Sequence, residues 1–316
     1  MPLLRELRGA LTAFALIVCG LLVLVSYDVG IPGQALLQTL RFHIAAGLLG
    51  LILLLLASGA WWRAVLFLAV AAVSIGQGGL IIHRQQEVRA AVTAEPGKPL
   101  LRMLSFNLLQ SNRQNGEEIA RFIEGSGADI VFLMEAGPIK PFADELARTY
   151  PYRTQCSRQG ACDTYILSKT PITDTQVTSM SRVWDNRLVV ADTVIGGQKI
   201  TVVGAHMTKP YFDEISEGEA HIIGSVISRR QGPLVLAGDF NSAAWSHNID
   251  RLARAQKLIA PPAYPATWPV RLGPLGVPID NMWTRGSLYI SSIEALEDPM
   301  GSNHRGLMAE LSLAPQ

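Results

Sequence analysis

Four apolar runs in this chain end in residues that chemistry uses. Asn107 follows RMLSF, Glu135 follows DIVFLM, His206 follows ITVVGA, and Asp239 and Asn241 close LVLAGDFN. One such residue would be an ordinary strand-end turn, since Asp and Asn are common there. Four strands ending in carboxylate, amide and imidazole groups argue instead for one convergent polar site, because open α/β sheets build sites beyond the carboxyl ends of their strands. Carboxylates beside amide oxygens suit a hard divalent cation, Mg²⁺ or Mn²⁺, rather than zinc. Such an ion polarises phosphoryl oxygens, a carboxylate near water serves as general base, and an imidazole steadies an anionic phosphorus centre. The rival chemistries lack their motifs. The sequence has no GxxxxGK[ST] phosphate loop and no GxSxG nucleophile elbow.

The elements that must position these residues begin near Leu100. The runs LRMLSFNLL, DIVFLME, TYILSK, LVVADTVI, KITVVGAHM and PLVLAGDF read as strands, and continuous apolar runs such as DIVFLM read as buried ones. GEEIARFIEGSG is amphipathic, with Ile119, Phe122 and Ile123 on one face, and 214–230 reads as a helix. Residues 259–278 hold six Pro and two Gly and form an irregular loop. Strands alternating with helices over about 215 residues give an α/β (α+β) domain large enough for a sizeable core.

The order SFN (105–107), FLMEAG (132–137), GAHM (204–207), GDFN (238–241), PIDNMW (278–283) and GSNHRGL (301–307) resembles the endonuclease/exonuclease/phosphatase (DNase I-like) superfamily, in its membrane-anchored bacterial form. That group includes DNase I-like nucleases, inositol polyphosphate phosphatases and bacterial sphingomyelinases. The resemblance covers about residues 100–313, and GDFN followed about 60 residues later by GS-x-HR is its most specific part. It implies a four-layered α/β/β/α sandwich. It also implies roles: Glu135 as principal Mg²⁺ ligand, Asn107 at the metal or scissile phosphate, and Asp239 as the base for the attacking water, with Asn241 beside it. His206 and His304 would bind the phosphoryl oxygens, and Asp280 would orient His304. One position departs from the pattern. The family's Ser-Asp-His is Ser302-Asn303-His304 here, which keeps an acceptor oxygen at the implied metal site but removes a charge. Weaker metal binding follows, or a chain that has lost catalysis and kept binding.

The first hundred residues differ in kind. The whole chain is 49% hydrophobic and 17% charged, below the quarter or so usual for a soluble domain. Residues 1–100 carry 7 basic and 4 acidic residues; the rest carry 20 and 22. A wholly soluble domain, a disordered chain and a disulfide scaffold are thereby excluded. Three apolar stretches, 9–26, 44–60 and 64–82, read as transmembrane helices, so residues 1–83 form a bundle of about three spans that precedes the sandwich. Residues 84–99 read as a polar linker and 100–316 as the catalytic domain. Arg5, Arg8 and Arg63 against Arg41 alone place the N-terminus in the cytoplasm and the domain outside it. The expected location is a bacterial cytoplasmic (inner) membrane, multi-pass. Cys156 and Cys162 in CSRQGAC read as a disulfide-closed loop, which suits an oxidising compartment, against two unpaired thiols.

Three substrate classes remain: nucleic acid, a lipid headgroup or small phosphate ester, and a ligand bound without turnover. The net charge of −2 over 101–316 argues against nucleic acid, since binders usually carry a basic excess. Arg229-Arg230 and Arg251, Arg254 and Lys257 are basic patches that read as solvated helix faces. Tyr211-Phe212 and Trp268 form a rim on the site or anchor their loops.

Overall fold

The computed structural model describes residues 2–93, 97–154, 163–211 and 214–315. Cys156, Cys162 and Phe212 lie outside the described residues.

Two sheets carry the fold. The first has six strands in the order β10-β11-β1-β2-β4-β3: β1 (Lys98–Asn107), β2 (Ile130–Met134), β3 (Tyr152–Arg153), β4 (Thr164–Ser168), β10 (Leu288–Ala295) and β11 (Leu307–Leu313). The second runs β5-β6-β7-β8-β9, from β5 (Ile172–Thr178), β6 (Leu188–Ile195), β7 (Gln198–His206), β8 (Leu234–Asp239) and β9 (Asp280–Arg285). Alternate residues of each strand face opposite sides, and both sides are apolar here. Met103, Phe132, Val202, Val235 and Met282 meet between the sheets in one core.

The outer faces are covered by helices. Leu104, Val131 and Leu133 pack against Ile119 and Ile123 of α5 (Gly116–Gly125) and Leu146 of α6 (Ala143–Thr149). Leu188, Val203 and Leu236 pack against Ile223 and Ile227 of α7 (Ile215–Ser228) and Ile249 and Leu252 of α8 (His247–Ala255). The helices present apolar residues three or four apart, so each buries one stripe. Glu117 and Glu118 in the first turn of α5 complement its dipole. The result is the four-layered α/β/β/α sandwich.

Before it stand α1 (Pro2–Ser26), the short α2 (Gln34–Thr39), α3 (Arg41–Ala57) and α4 (Trp61–Val92). Two of these, α1 and α4, are long and apolar enough to cross a membrane, and α3 is a shorter apolar helix. Their interfaces are narrow. Ala15, Cys19 and Leu22 of α1 and Leu48, Ile52 and Leu55 of α3 are buried with Phe67 of α4. The remaining faces expose Phe14, Ile17, Leu53 and Val73.

The structure differs from the sequence expectation at 84–99. Helix α4 continues to Val92, and β1 begins at Lys98. The polarity that suggests a linker is that of a docking surface. Arg84 pairs with Asp250 at 3.3 Å, Gln85 donates to the Ala244 carbonyl at 3.0 Å, and Gln86 donates to the Pro261 carbonyl at 2.9 Å.

Candidate active site

The strand register assembles the site. In β1 the residues facing the other sheet step from Leu101 through Met103 to Asn107; in β7 they step from Ile200 and Val202 to His206; in β8, from Val235 and Ala237 to Asp239. Asp239 is the next inward position after Ala237, and Asn107 and His206 lie one inward step further, past Ser105 and Gly204. His206 lies opposite Asp239, and Asp239 opposite Asp280, on three adjacent strands. Asn107 pairs with Met134, immediately before Glu135, across β1 and β2. Close approach of β7 and β8 depends on Gly238. Its φ is +149°, and a Cβ there would lie 1.8 Å from the Ala205 carbonyl oxygen.

Asp239 is the hub. Its Oδ1 accepts the Asn241 backbone N–H at 2.9 Å, and its Oδ2 accepts the Asn107 amide at 3.1 Å. The imidazole Nε2 atoms of His206 and His304 stand 3.8 and 3.7 Å from that same Oδ2. Glu135 is adjacent. Its Oε2 accepts the Gln110 N–H at 2.7 Å, while Oε1 lies 3.4 Å from the Asn107 amide nitrogen and 4.0 Å from His206 Nε2. Glu135 and Asn241 both leave their strands with positive φ, 50° and 48°, a conformation non-glycine residues adopt at some cost.

Each histidine has its own carboxylate. His304 Nδ1 bonds Asp280 at 2.8 Å, and His206 Nδ1 bonds Asp163 at 2.5 Å. Asp163 is in turn paired with Arg187 at 3.4 Å, whose guanidinium lies 4.4 Å from the centre of the Trp184 ring. Ser302 ties the loop down: its hydroxyl donates to the Asn107 carbonyl at 2.7 Å and accepts the His304 N–H at 3.1 Å. Asn241 is held by its amide, which donates to the Met207 carbonyl at 2.8 Å.

The electrostatics follow from burial and neighbours. Burial raises the Asp239 carboxyl, and Asp280 raises it further, against the opposing pull of the two histidines and the Asn241 N–H. Burial alone would lower His304, but Asp280 and Asp239 outweigh it and push it up to about 9. The ring is therefore a cation at neutral pH, with both nitrogens as donors. For Asp163, burial acts upward, but the hydrogen bond and charge of His206 together with Arg187 hold the carboxyl below its ordinary value.

A divalent ion finds suitable donors here. Ligand atoms of Asp239, Asp280 and His304 lie within 4.8 Å of one another. In that set His304 already has its Nδ1 committed to Asp280 at 2.8 Å. The carboxylate oxygens of Glu135 and Asp239 are the better donors. They are hard oxygens beside the same Asn107 amide, and the raised Asp239 carboxyl marks negative charge that a cation would relieve.

The structure thus gathers Asn107, Glu135, His206, Asp239, Asn241, Asp280 and His304. Asn303 stands apart from the buried group: it is exposed, and its backbone carbonyl accepts the Val270 N–H at 3.4 Å. Asp163 and Arg187 escape the reading from strand ends. Asp163 precedes β4, which runs antiparallel to β2, so it reaches the same end of the sheet from the start of a strand. An acidic residue just ahead of TYILS is the signal that would have found it.

A two-sheet sandwich with carboxylate–imidazole pairs at one end defines a DNase I-like protein. The chain belongs to the Endonuclease/Exonuclease/phosphatase family, whose sequence model matches residues 104–304. Members of this family are phosphoester hydrolases that typically use divalent metals. Solved structures similar to this chain are distant in sequence. An endonuclease/exonuclease/phosphatase family protein from Bacteroides thetaiotaomicron aligns with TM-score 0.58 at 16% identity, covering 69% of this chain and 96% of its own. D. rerio TDP2 complexed with a single-strand DNA product aligns with TM-score 0.55 at 15% identity, over 67% and 99%. Sphingomyelinase C from Streptomyces griseocarneus aligns with TM-score 0.51 at 18% identity, over 67% and 99%. A comparison with curated protein sequences gives no match.

Proposed function

We propose that the chain is a membrane-anchored phosphoesterase that hydrolyses a phosphodiester or phosphomonoester with water and a divalent metal, Mg²⁺ or Mn²⁺. The observation that carries this reading is Asp239, buried between two imidazoles that are each backed by a carboxylate. Glu135 and Asp239, with Asn107 beside them, would hold the ion, which supplies Lewis-acid polarisation of a phosphoryl oxygen. Exposed Asn303 would act only at the edge of that site. Asp239, oriented by the Asn241 N–H and the Asn107 amide, takes the proton of the attacking water. His304, cationic and fixed by Asp280, donates from Nε2 to the phosphoryl oxygens as charge builds. His206, fixed by Asp163, presents Nε2 from the other side.

Anchoring is supported by the outward-facing apolar side chains of α1, α3 and α4, since soluble surfaces rarely expose contiguous apolar patches of that size. A multi-pass arrangement in a bacterial cytoplasmic membrane, with the sandwich on the outer side, follows from the positive charge near the inner ends. A nucleic-acid substrate is disfavoured by the fate of the basic patches. Arg230 faces Asp174 and Asp192, Arg251 faces Asp28 and Glu217, and Arg254 faces Asp250.

The test uses full-length protein in detergent. Hydrolysis of bis-p-nitrophenyl phosphate and p-nitrophenyl phosphate is followed with Mg²⁺, with Mn²⁺ and with EDTA. Metal-dependent turnover that Asp239→Ala and His304→Ala both abolish is the expected result. Failure of both substrates to turn over, with no metal detected by calorimetry, would leave a binding module instead.

A further inference from the structure

The active-site end of the sandwich faces the helical bundle. Two of the loops that build the site bond to it, and a third borders a cleft against it. After β8, the Thr39 hydroxyl accepts the Ala243 N–H at 3.0 Å, the Gln38 carbonyl accepts Trp245 Nε1–H at 3.0 Å, and Gln38 Oε1 accepts the His247 N–H at 2.9 Å. Ahead of β9, His43 near the start of α3 bonds the Leu275 carbonyl at 2.8 Å. After β7, Pro210 and Glu214 share a cleft with Gly30 and Ile31 of the α1–α2 connection and Gln34 of α2. The catalytic loops are therefore level with the ends of the helices that would lie at the outer surface of a bilayer.

The apolar surface of the sandwich is concentrated at the same end. Among the described residues of 97–315, eight large apolar side chains are exposed, and six of them are Val183, Trp184, Tyr211, Trp268, Leu272 and Leu275. Tyr211 lies on the loop that leaves His206, and Trp268, Leu272 and Leu275 on the loop that leads to Asp280; Val183 and Trp184 lie on the β5–β6 loop, which ends at Arg187, the partner of Asp163. Trp184 stacks on Arg187, the partner of Asp163; Thr267, next to Trp268, bonds the Asp280 N–H through its hydroxyl at 3.2 Å and accepts the Arg305 N–H at 2.9 Å through its carbonyl. The segment 268–275 adds exposed Arg271 between its apolar residues and is 72% exposed at Leu275. Tryptophan, leucine and arginine on one short segment suit the headgroup boundary of a membrane, where apolar bodies sink and charged ends stay wet.

We infer that this rim rests in the outer leaflet's headgroup layer and that the substrate is a phospholipid presented by that leaflet. The inference rests on the phosphoesterase reading above for its chemistry and on the bundle's place in a membrane for its geometry. A lipid phosphate at that level meets the Asp239–His304 end of the sheets without leaving the leaflet. Water adds to phosphorus, one P–O ester bond breaks, and the departing alkoxide takes the proton that the water gave up; the products are an alcohol and a phosphate ester with one ester bond fewer.

The experiment uses the full chain in nanodiscs of phosphatidylcholine and phosphatidylglycerol with Mg²⁺. Lipid products are followed by mass spectrometry, beside soluble bis-p-nitrophenyl phosphate and single-stranded DNA. The double variant Leu272→Asp/Leu275→Asp lowers lipid hydrolysis about tenfold, through lost burial of two leucines, and leaves the soluble ester within about twofold. In discs containing brominated phosphatidylcholine, Trp268→Phe removes part of the quenched tryptophan emission. Equal effects of the double variant on both substrates, or no effect on either, would overturn the inference, as would DNA turned over in preference to lipid. If nothing is hydrolysed, the phosphoesterase reading has failed and the lipid substrate fails with it. The quenching result then decides the membrane-facing rim alone, and unchanged quenching in Trp268→Phe sinks it.

Discussion

Asp163 offers the sharpest test of the site, because its carboxylate is the hydrogen-bond partner of His206 Nδ1 among the described residues. The bond is 2.5 Å long, the histidine side chain is 4% exposed and Asp163 17% exposed, so water cannot readily replace the carboxylate. The carboxyl is held below its ordinary value by His206 and Arg187 and is therefore an anion throughout the neutral range. A hydrogen bond to a charged partner contributes roughly 1.5–3 kcal/mol. Its full value is felt where His206 carries most positive charge, against the phosphoryl oxygens of the transition state. Each ~1.4 kcal/mol is tenfold, so Asp163→Ala lowers kcat/KM about 10- to 150-fold, mostly in kcat. Asp163→Asn keeps an acceptor of the same shape without the charge and falls between wild type and Ala. Arg187 keeps its stacking on Trp184 in both variants, so the loop stays in place. The assay is metal-dependent hydrolysis of bis-p-nitrophenyl phosphate by full-length protein, beside His206→Ala. If Asp163→Ala stays within about threefold of wild type while His206→Ala loses more than about a hundredfold, the carboxylate does not position the imidazole, and the reasoning fails.

Three other outcomes are expected. Trp245→Ala removes a ring that is 7% exposed, packs edge-on to Phe42 with centroids 4.9 Å apart and donates to Gln38; it costs about 3–5 kcal/mol, and an unchanged melting temperature in detergent would show that the bundle is not held there. His247 has its pKa lowered by burial and by Arg41, and its Nδ1 accepts from the Gln38 amide at 2.8 Å, so the native state favours the neutral ring. Its folded value lies below the unfolded one of about 6.5, so docking is intact above that pH and weakens as pH falls below it; His247→Gln should flatten that dependence in a thermal-melt series, and an unaltered slope would refute it. Gly238→Ala brings a Cβ to 1.8 Å from a backbone oxygen at a φ of +149°, costing about 4 kcal/mol or more; folded protein with wild-type melting would show that β7 and β8 can separate at the site.

The parts of the site that the sequence made legible are those where a single strand changes character at its end. Asn107, His206 and Asp239 each interrupt an apolar run at an inward position, so the chemistry and the direction of the side chain are written in the same few residues. Glu135 shares that signal, although the positive φ that turns it toward the site is not visible in DIVFLME. Asp280 came from the resemblance rather than from a run, because it opens β9 and reaches the site from the antiparallel side. Asp163 is the same case without a familiar motif around it: polarity ahead of a strand looks like a loop until the pairing of β4 with β2 is known. The polar stretch at 84–92 is helical for a related reason. Gln85 and Gln86 are polar because they bond Ala244 and Pro261, while Gln85 also accepts the Tyr264 hydroxyl at 2.6 Å. Their partners lie some 160 to 179 residues away in the chain, beyond any local pattern. Local patterning reports whether a segment is solvated on average; it does not say whether a polar side chain meets water or another polar side chain. In this fold that distinction falls at the junction of bundle and sandwich, where the GDFN strand gives way to the loop that Gln38 and Thr39 hold. The bundle is therefore packed against the loop that follows Asp239 and Asn241, and its removal would uncover Trp245 within a few residues of both.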